Sequence, residues 1–409
     1  LDPICLVDEH GRAVPALDDK AGSAVKKLLI LQPYIPEYRV AFFRDLRSAL
    51  QDKGFELVLA AGRARGHLEQ RGDDRTESTA DVLLNSRSVG VGGKSLLVRD
   101  VRSVLRQVQP DLVIAEQAIK NTDVYSLLMR QVVKGSPRFG LWGQGRSFST
   151  PQGIAGSLLK QWVTRRSDWF FAYTQEGADY VVRLGVPPNR VSILNNTIDT
   201  EQLRRDLDNV SDAQVDDFRQ QHSLIAGKTA LFLGGVDTTK GIEFLLDSAE
   251  KVAKQIPGFR LIIAGSGSSS ELVQRRQEAG SPIAFLGRLE GFDKAVALSV
   301  ADVMMIPEWV GLVAVDSLVA GCPIITTHHA SHSPEFSYLI DQSNSFLFAH
   351  QENAYADGLV RVMRDSALLS TVAQQAVRDS WSYSLAGMVE NFSQGVEEWW
   401  TSSVPQSKL

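Results

Sequence analysis

The feature that most constrains this chain is an alternation of short apolar runs with helical patterns that occurs twice. Lys27–Gln32 reads KLLILQ, a continuous apolar run of the kind buried on both faces of a parallel sheet. A helical pattern follows over Arg39–Leu50, with Phe43, Leu46 and Leu50 on one face and Gly54 as its stop. Further strand runs fall at Glu56–Ala60, Leu112–Ala115, Phe139–Trp142, Trp169–Tyr173 and Val191–Leu194. Helical patterns fall at Leu96–Val108, Asp123–Val133 and Ala178–Leu184. Residues 199–228 are rich in Asp, Gln and Arg and read as one or two polar helices between halves.

The alternation then restarts. Strands are expected at Thr229–Leu233, Arg260–Ala264, Ile283–Leu286, Val303–Ile306 and Ile324–Thr327. Helices are expected at Ile242–Gln255, Glu271–Glu278, Lys294–Ala301 and Leu312–Ala320. Strand–helix–strand repetition implies a parallel sheet covered by helices. Two such units in series place a cleft between them, with ligands outside the carboxyl ends of the strands. A last helix, Leu385–Thr401, carries Met388, Phe392, Val396 and Trp399 at helical spacing and must pack on something. At 409 residues the chain is long enough for two or three domains of ~150 residues each. The expected organisation is a poorly ordered lead-in over 1–25, a first domain over 26–200 plus 385–409, and a second over 201–384.

Composition excludes several classes. Hydrophobic residues are 44% and charged residues 22%, the range of an ordinary globular chain. No apolar run reaches the ~20 residues of a spanning helix. The N-terminus lacks the charged-then-apolar order of a signal peptide. Cys5 and Cys322 form neither a disulfide framework nor a zinc spacing, which fits a reducing, cytoplasmic location. The terminal Ser407-Lys408-Leu409 matches a peroxisomal address and reads here as coincidence. The first 185 residues carry a net +5 and the rest −10, together the −5 of the whole chain. Arg63, Arg65, His67, Arg71, Arg75, Arg99, Arg102 and Arg106 cluster in the basic half. That suits either peripheral contact with an anionic membrane or two solvated helix faces. Nothing points to a nucleic-acid partner.

Six segments are candidates for chemistry. Pro307–Pro323 reads PEWVGLVAVDSLVAGCP. Glu308 ends a strand, Gly311, Leu312 and Val313 open a helix, and Asp316 lies on its first turns. Free amides of a helix start bind phosphate, and flanking carboxylates bind hydroxyls. Gly234–Gly241 reads GGVDTTKG between a strand and a helix, where Gly235 lets backbone approach a phosphate and Lys240 adds charge. It lacks the Gly-Lys-Ser/Thr of a Walker loop. Gly265-Ser266-Gly267-Ser268 fails as a dinucleotide fingerprint because Ser270 replaces the third glycine. Gln32–Arg39 joins the first strand to its helix and offers Tyr38 and Arg39 to an anion. Leu141–Arg146 (LWGQGR) ends a strand with Gln144 and Arg146. His328, His329 and His332 crowd one loop beside Pro334-Glu335, where a metal site is conceivable but no fourth ligand is fixed.

Pro307–Pro323 resembles the signature of family 4 glycosyltransferases: Glu, seven residues, a second acid, and a small-residue helix ending in Gly-x-Pro. Two positions depart, with Asp316 for the second Glu and Val310 for the usual Phe. Lys240-Gly241 resembles that family's Gly-Arg…Lys-Gly loop, with Val236 at the Arg position. Arg288-Leu289 resembles the loop that lies against the base. Trp142–Arg146 resembles a Trp-Gly-His-Gly-Arg segment, with Gln144 for the His. The resemblance covers about residues 26–400. It implies a GT-B fold, two Rossmann-like domains with parallel sheets facing across a cleft and the C-terminal helix crossing back to the first domain. It implies a first domain that binds acceptor and a second that binds a nucleotide sugar. The implied reaction is retaining transfer from a nucleotide diphosphate sugar, UDP before GDP, to a glycan, lipid-linked or small-molecule acceptor, without cofactor or metal. Lys240 and the helix start at Gly311–Val313 would take phosphate, Glu308 the sugar, Asp316 the ribose, and Gln144 would lie near the anomeric centre. A loop bearing Glu335 would touch the donor.

Overall fold

A computed structural model describes residues 25–66, 69, 72–91, 94–118, 122–146, 154–329 and 331–402. The lead-in up to residue 24, His67, Arg71 and the terminal Ser-Lys-Leu lie outside these described residues. The first domain holds a seven-stranded parallel sheet. Its strands are β1 (Lys26–Gln32), β2 (Phe55–Ala61), β3 (Val82–Leu83), β6 (Leu112–Glu116), β7 (Arg138–Gly143), β8 (Trp169–Ala172) and β9 (Val191–Ile193), in the order β3-β2-β1-β6-β7-β8-β9. A separate antiparallel hairpin, β4 (Ser86–Val91) with β5 (Lys94–Arg99), intervenes between β3 and β6.

Side chains alternate across a strand, so β1 fills two cores at once. Leu28 and Ile30 join Phe42, Phe43, Trp142 and Trp399 on one face. Leu29 and Leu31 join Val104, Leu127 and Phe139 on the other. This two-sided burial is what the continuous run KLLILQ encodes. The helix expected over Leu96–Val108 is shorter. Residues 94–99 belong to β5, and the helix starts at Val101 because the Asp100 carboxylate accepts the Ser103 N–H as its N-cap. Helix Ile154–Arg166 was not foreseen.

The second domain holds six parallel strands: β10 (Thr229–Leu233), β11 (Arg260–Ala264), β12 (Ile283–Gly287), β13 (Val303–Met305), β14 (Ile324–Thr327) and β15 (Ser345–Phe348). Their order is β12-β11-β10-β13-β14-β15. Both sheets therefore reverse direction of growth beside their first strand, at β1/β6 and at β10/β13. Such switch points open a crevice at the carboxyl ends of the strands. Strand β15 and the helices Glu352–Arg364 and Ser366–Ser380 complete the domain beyond the strands and helices expected from the sequence.

Helix Leu385–Thr401 crosses back to the first domain. Ser384 caps it through the Gly387 N–H. Phe392 stacks on Phe171 with ring centroids 4.5 Å apart, and Trp399 is fully buried. Arg138 of β7 donates to the carbonyls of Trp399 and Trp400 at the helix end, where partial negative charge collects. A Cβ on Gly140 would lie 3.1 Å from the Trp399 ring, so the glycine lets this helix approach the sheet.

Polar ties join the domains elsewhere. Asn196 donates to Glu335 Oε1 (2.6 Å), and the Tyr338 hydroxyl donates to the Asn196 carbonyl (3.1 Å). Glu335 is buried and also accepts from the Ser333 hydroxyl. The carboxylate on the loop expected near the donor is thus bonded into this joint. His332 is buried too. Its Nδ1 accepts from the Val310 N–H (3.1 Å), so Nε2 carries the proton and donates to Thr327 O (2.9 Å). Burial pushes its pKa down to about 4, against the raising effect of the Thr327 carbonyl.

Two outcomes follow from this packing. Trp399→Ala removes a buried indole from the joint between helix and sheet, and should cost about 3–5 kcal/mol, read as a shift of the urea midpoint by circular dichroism. His332 is neutral in the folded chain down to about pH 4 but protonates near 6.5 when unfolded. The unfolded state thus binds the extra proton between those values, and stability falls as pH drops through them. Between pH 7 and pH 5 this group should remove about 2 kcal/mol, a slope that His332→Gln should flatten in urea titrations at both pH values.

Candidate functional site

The site is built at the carboxyl ends of β10 and β11. After Leu233 the chain turns through Gly234 (φ +142°), and after Ala264 through Gly265 (φ +156°). A Cβ on Gly265 would sit 1.8 Å from the Gly234 carbonyl oxygen, so no other residue fits there. Asp237 Oδ1 accepts from the Ser268 backbone N–H (3.0 Å) and hydroxyl (3.2 Å), which closes the two loops onto each other. Val236 is fully buried in the second-domain core. The position at which the resemblance sought an arginine therefore points away from the crevice.

Lys240 ends a single helical turn, Thr238–Lys240. Its Nζ donates to the Trp309 carbonyl at 2.7 Å, linking the loop after β10 to the loop after β13. Gly241 is left-handed (φ +63°), and a Cβ there would lie 2.6 Å from the Glu308 carboxyl carbon. Trp309 itself is left-handed (φ +51°), an uncommon conformation for a bulky residue. Asp316 is buried and accepts from Lys294 Nζ at 2.9 Å. Burial alone would lower the Lys294 ammonium, but the Asp316 carboxylate holds its pKa above the ordinary value. Arg288 reaches across the cleft to Glu37 Oε2 (3.4 Å) and pairs with Glu290.

These groups surround a cavity of about 760 Å³ that the first domain closes through Asp73. Of the residues singled out in the sequence, Gly235, Lys240, Arg288, Leu289 and Asp316 line it. Glu308, Gly311, Leu312 and Val313 are half-buried next to it without lining it. Lys294, Asp237, Trp309 and the loop Gly265–Ser268 line it and were missed as site residues. The glycines of Gly265–Ser268 gave a signal, which failed only as a dinucleotide motif. Nothing in the sequence paired Lys294 with Asp316.

Tyr38, Arg39, Gln144 and Arg146 lie on the first-domain side and do not line this cavity. Arg39 is buried. It donates to Tyr38 Oη (3.2 Å) and Tyr173 Oη (3.1 Å), and its guanidinium sits 4.2 Å from the Trp142 ring centroid. Its Nη1 is buried with no hydrogen-bond partner among the described residues. Arg146 pairs with Glu176 at 2.7 Å. Gly145 (φ +75°), packed against the Gly177 carbonyl, sets the turn that carries Gln144. The histidine trio of the sequence is divided: His328 is exposed and His332 serves the core. Only His329 keeps company with other ligand types, Glu308 and His350.

Two family models match the chain, "Glycosyltransferase Family 4" over residues 40–202 and "Glycosyl transferases group 1" over 227–365. A phosphatidyl-myo-inositol mannosyltransferase of Mycobacterium tuberculosis is 31% identical over 168 residues, 39% of this chain and 42% of that protein. A D-inositol 3-phosphate glycosyltransferase of Salinispora arenicola is 24% identical over 267 residues, 60% of this chain and 59% of that protein. The matches thus span less than two thirds of these relatives. HepE of Anabaena, solved with UDP and glucose, superposes with a TM-score of 0.67 at 15% identity, over 91% of this chain and 99% of its own. Two doubly wound sheets, a cleft with a crossing C-terminal helix, and family matches over both halves lead to one conclusion: this chain has the GT-B fold and belongs to glycosyltransferase family 4.

Proposed function

We propose that the chain transfers a sugar from a nucleotide diphosphate donor, UDP-linked first and GDP-linked next, to a glycan, lipid-linked or small-molecule acceptor with retention at the anomeric carbon. The observation that carries this reading is one cavity at the β10/β13 switch point that gathers Lys240, Arg288 and Lys294 beside two glycine loops. A leaving diphosphate gains charge as the sugar departs, and fixed cations and amides stabilise it most in that state. Lys294 and Arg288 stand where Val236 cannot contribute. Asp316, with Lys294, is suited to ribose hydroxyls. Glu308, beside Gly241, faces the donor sugar, and Gln144 hydrogen-bonds near the anomeric centre without titrating. The leaving phosphate takes the acceptor proton, so neither a metal nor a protein nucleophile is required. HepE, bound to UDP, supports the choice of base, and the mannosyltransferase and inositol-phosphate relatives support a lipid-linked or phosphorylated acceptor near Tyr38, Arg39 and Arg146.

A second reading keeps the fold and the nucleotide but not efficient transfer. Gln144, which cannot shuttle a proton, and the core-facing Val236 favour it. Slow hydrolysis of a nucleotide sugar, measured across a donor panel, separates the two: turnover supports the transferase, and tight binding with none supports a partner subunit.

The acceptor half carries a surface suited to an anionic bilayer. Helices Thr122–Lys134 and Ile154–Arg166 pack together and expose Met129, Val133, Leu158 and Trp162. Arg166 covers Trp162 at 4.4 Å, and Arg165 lies beside it in sequence. Aromatic, aliphatic and basic residues on neighbouring helices make an interfacial binding face. Among the described residues no helix is long and apolar enough to cross a membrane.

Lys240→Ala should weaken UDP binding by about 10- to 100-fold in calorimetry, the worth of one charged hydrogen bond; unchanged affinity would remove Lys240 from the phosphate site. In flotation with vesicles containing phosphatidylserine, the chain should co-float at low salt and lose this on raising salt or in Leu158→Asp/Trp162→Asp. Equal flotation of that variant would place membrane contact elsewhere.

A further inference from the structure

We propose that Glu308, His329 and His350 form a Zn²⁺ site on the rim of the donor crevice. The three come from neighbouring strands of one parallel sheet. Glu308 follows β13, His329 follows β14 and His350 follows β15. Parallel strands side by side deliver the residues just past their carboxyl ends to one edge, and here these residues are two imidazoles and a carboxylate. Their ligand atoms all lie within 4.8 Å of one another. Ligands about 2.1 Å from a tetrahedral zinc sit about 3.4 Å apart, so shifts on the order of 1 Å complete the set. Two histidines, one carboxylate and an open fourth position are a donor set that suits zinc.

The surroundings favour the metal-binding form. His350 Nε2 lies 2.8 Å from Glu308 Oε1, with its proton between them, and zinc replaces that proton. The His350 ring is stacked on Phe244 (4.7 Å, 10° between planes), which fixes its plane, and its centroid is 4.6 Å from that of His329. His329 Nδ1 accepts only a 3.2 Å contact from the Ser331 N–H, which a metal on that nitrogen would displace. The Glu308 carboxyl lies close over Gly241, where a Cβ would sit 2.6 Å from it. His350 is exposed, so the ion has an entry path from solvent.

Zinc on Glu308 takes that carboxylate from the donor sugar, so the ion inhibits transfer. This consequence rests on the role proposed above for Glu308, whereas the site itself does not. The test uses the full chain, stripped with chelator, titrated with Zn²⁺ by calorimetry and with Co²⁺ by visible absorption. The expected result is one equivalent bound. His350→Ala and His329→Ala should each weaken binding at least tenfold, while His328→Ala, one residue away and exposed, should leave it unchanged. Absence of saturable binding, or binding that folded His350→Ala retains in full, would overturn the site. Binding by wild type with donor turnover unaffected by Zn²⁺ would overturn the inhibition alone. If no donor is turned over under any condition, the transferase reading fails while the metal titration still decides the site.

Discussion

The hydrogen bond from Lys240 to the Trp309 carbonyl is the contact on which the crevice depends. The two loops it joins leave the neighbouring strands β10 and β13 beyond their last ladder pair, Leu231 with Met304. The ammonium supplies that link. Its cost is visible in the backbone. Trp309 takes a left-handed φ that bulky residues avoid, and Gly241 must be glycine because Glu308 occupies the space of its Cβ. Strain of this kind persists where the surrounding structure over-determines it.

The closed loops after β10 and β11 then decide where charge can stand. Asp237 bonds to Ser268, and Val236, next in the chain, turns into the core. Lys294 and Arg288, from the helix and loop that follow β12, bring positive charge to the cavity instead. Lys294 is held against Asp316 in a half-dry setting, so each enters the cavity partly neutralised by the other. A nucleotide would meet a preformed pair whose desolvation has already been met on folding.

What was legible in the sequence follows the range over which each signal acts. Strand β1 and helix Ile242–Gln255 were legible because period and run length are local. The start at Val101 was not, because Leu96, Leu97 and Val98 are equally apolar in a strand or a helix and only the Asp100 cap decides. Lys240, Asp316, Arg288 and Leu289 were legible because their motifs are contiguous. Lys294 and Asp316 are 22 residues apart, and no pattern in one sequence reports such a pair. The same limit dissolved the histidine trio. His328, His329 and His332 are neighbours in the chain, yet a loop turns His332 into the core and His328 to solvent. Sheet order, which is invisible in the sequence, brings His350 and Glu308 to His329 in their place.

The two halves of the site differ in how they hold charge, and this difference bears on what each can bind. In the second domain Lys240, Arg288 and Lys294 face a cavity. In the first, Arg39 is enclosed by Tyr38, Tyr173 and Trp142, with one nitrogen unsatisfied. A buried donor without a partner costs about 1–3 kcal/mol, and an acceptor oxygen reaching it would recover that cost. Tyr38, which bonds to Arg39, also packs against the second-domain core. The phenol beside the guanidinium is therefore held by both domains.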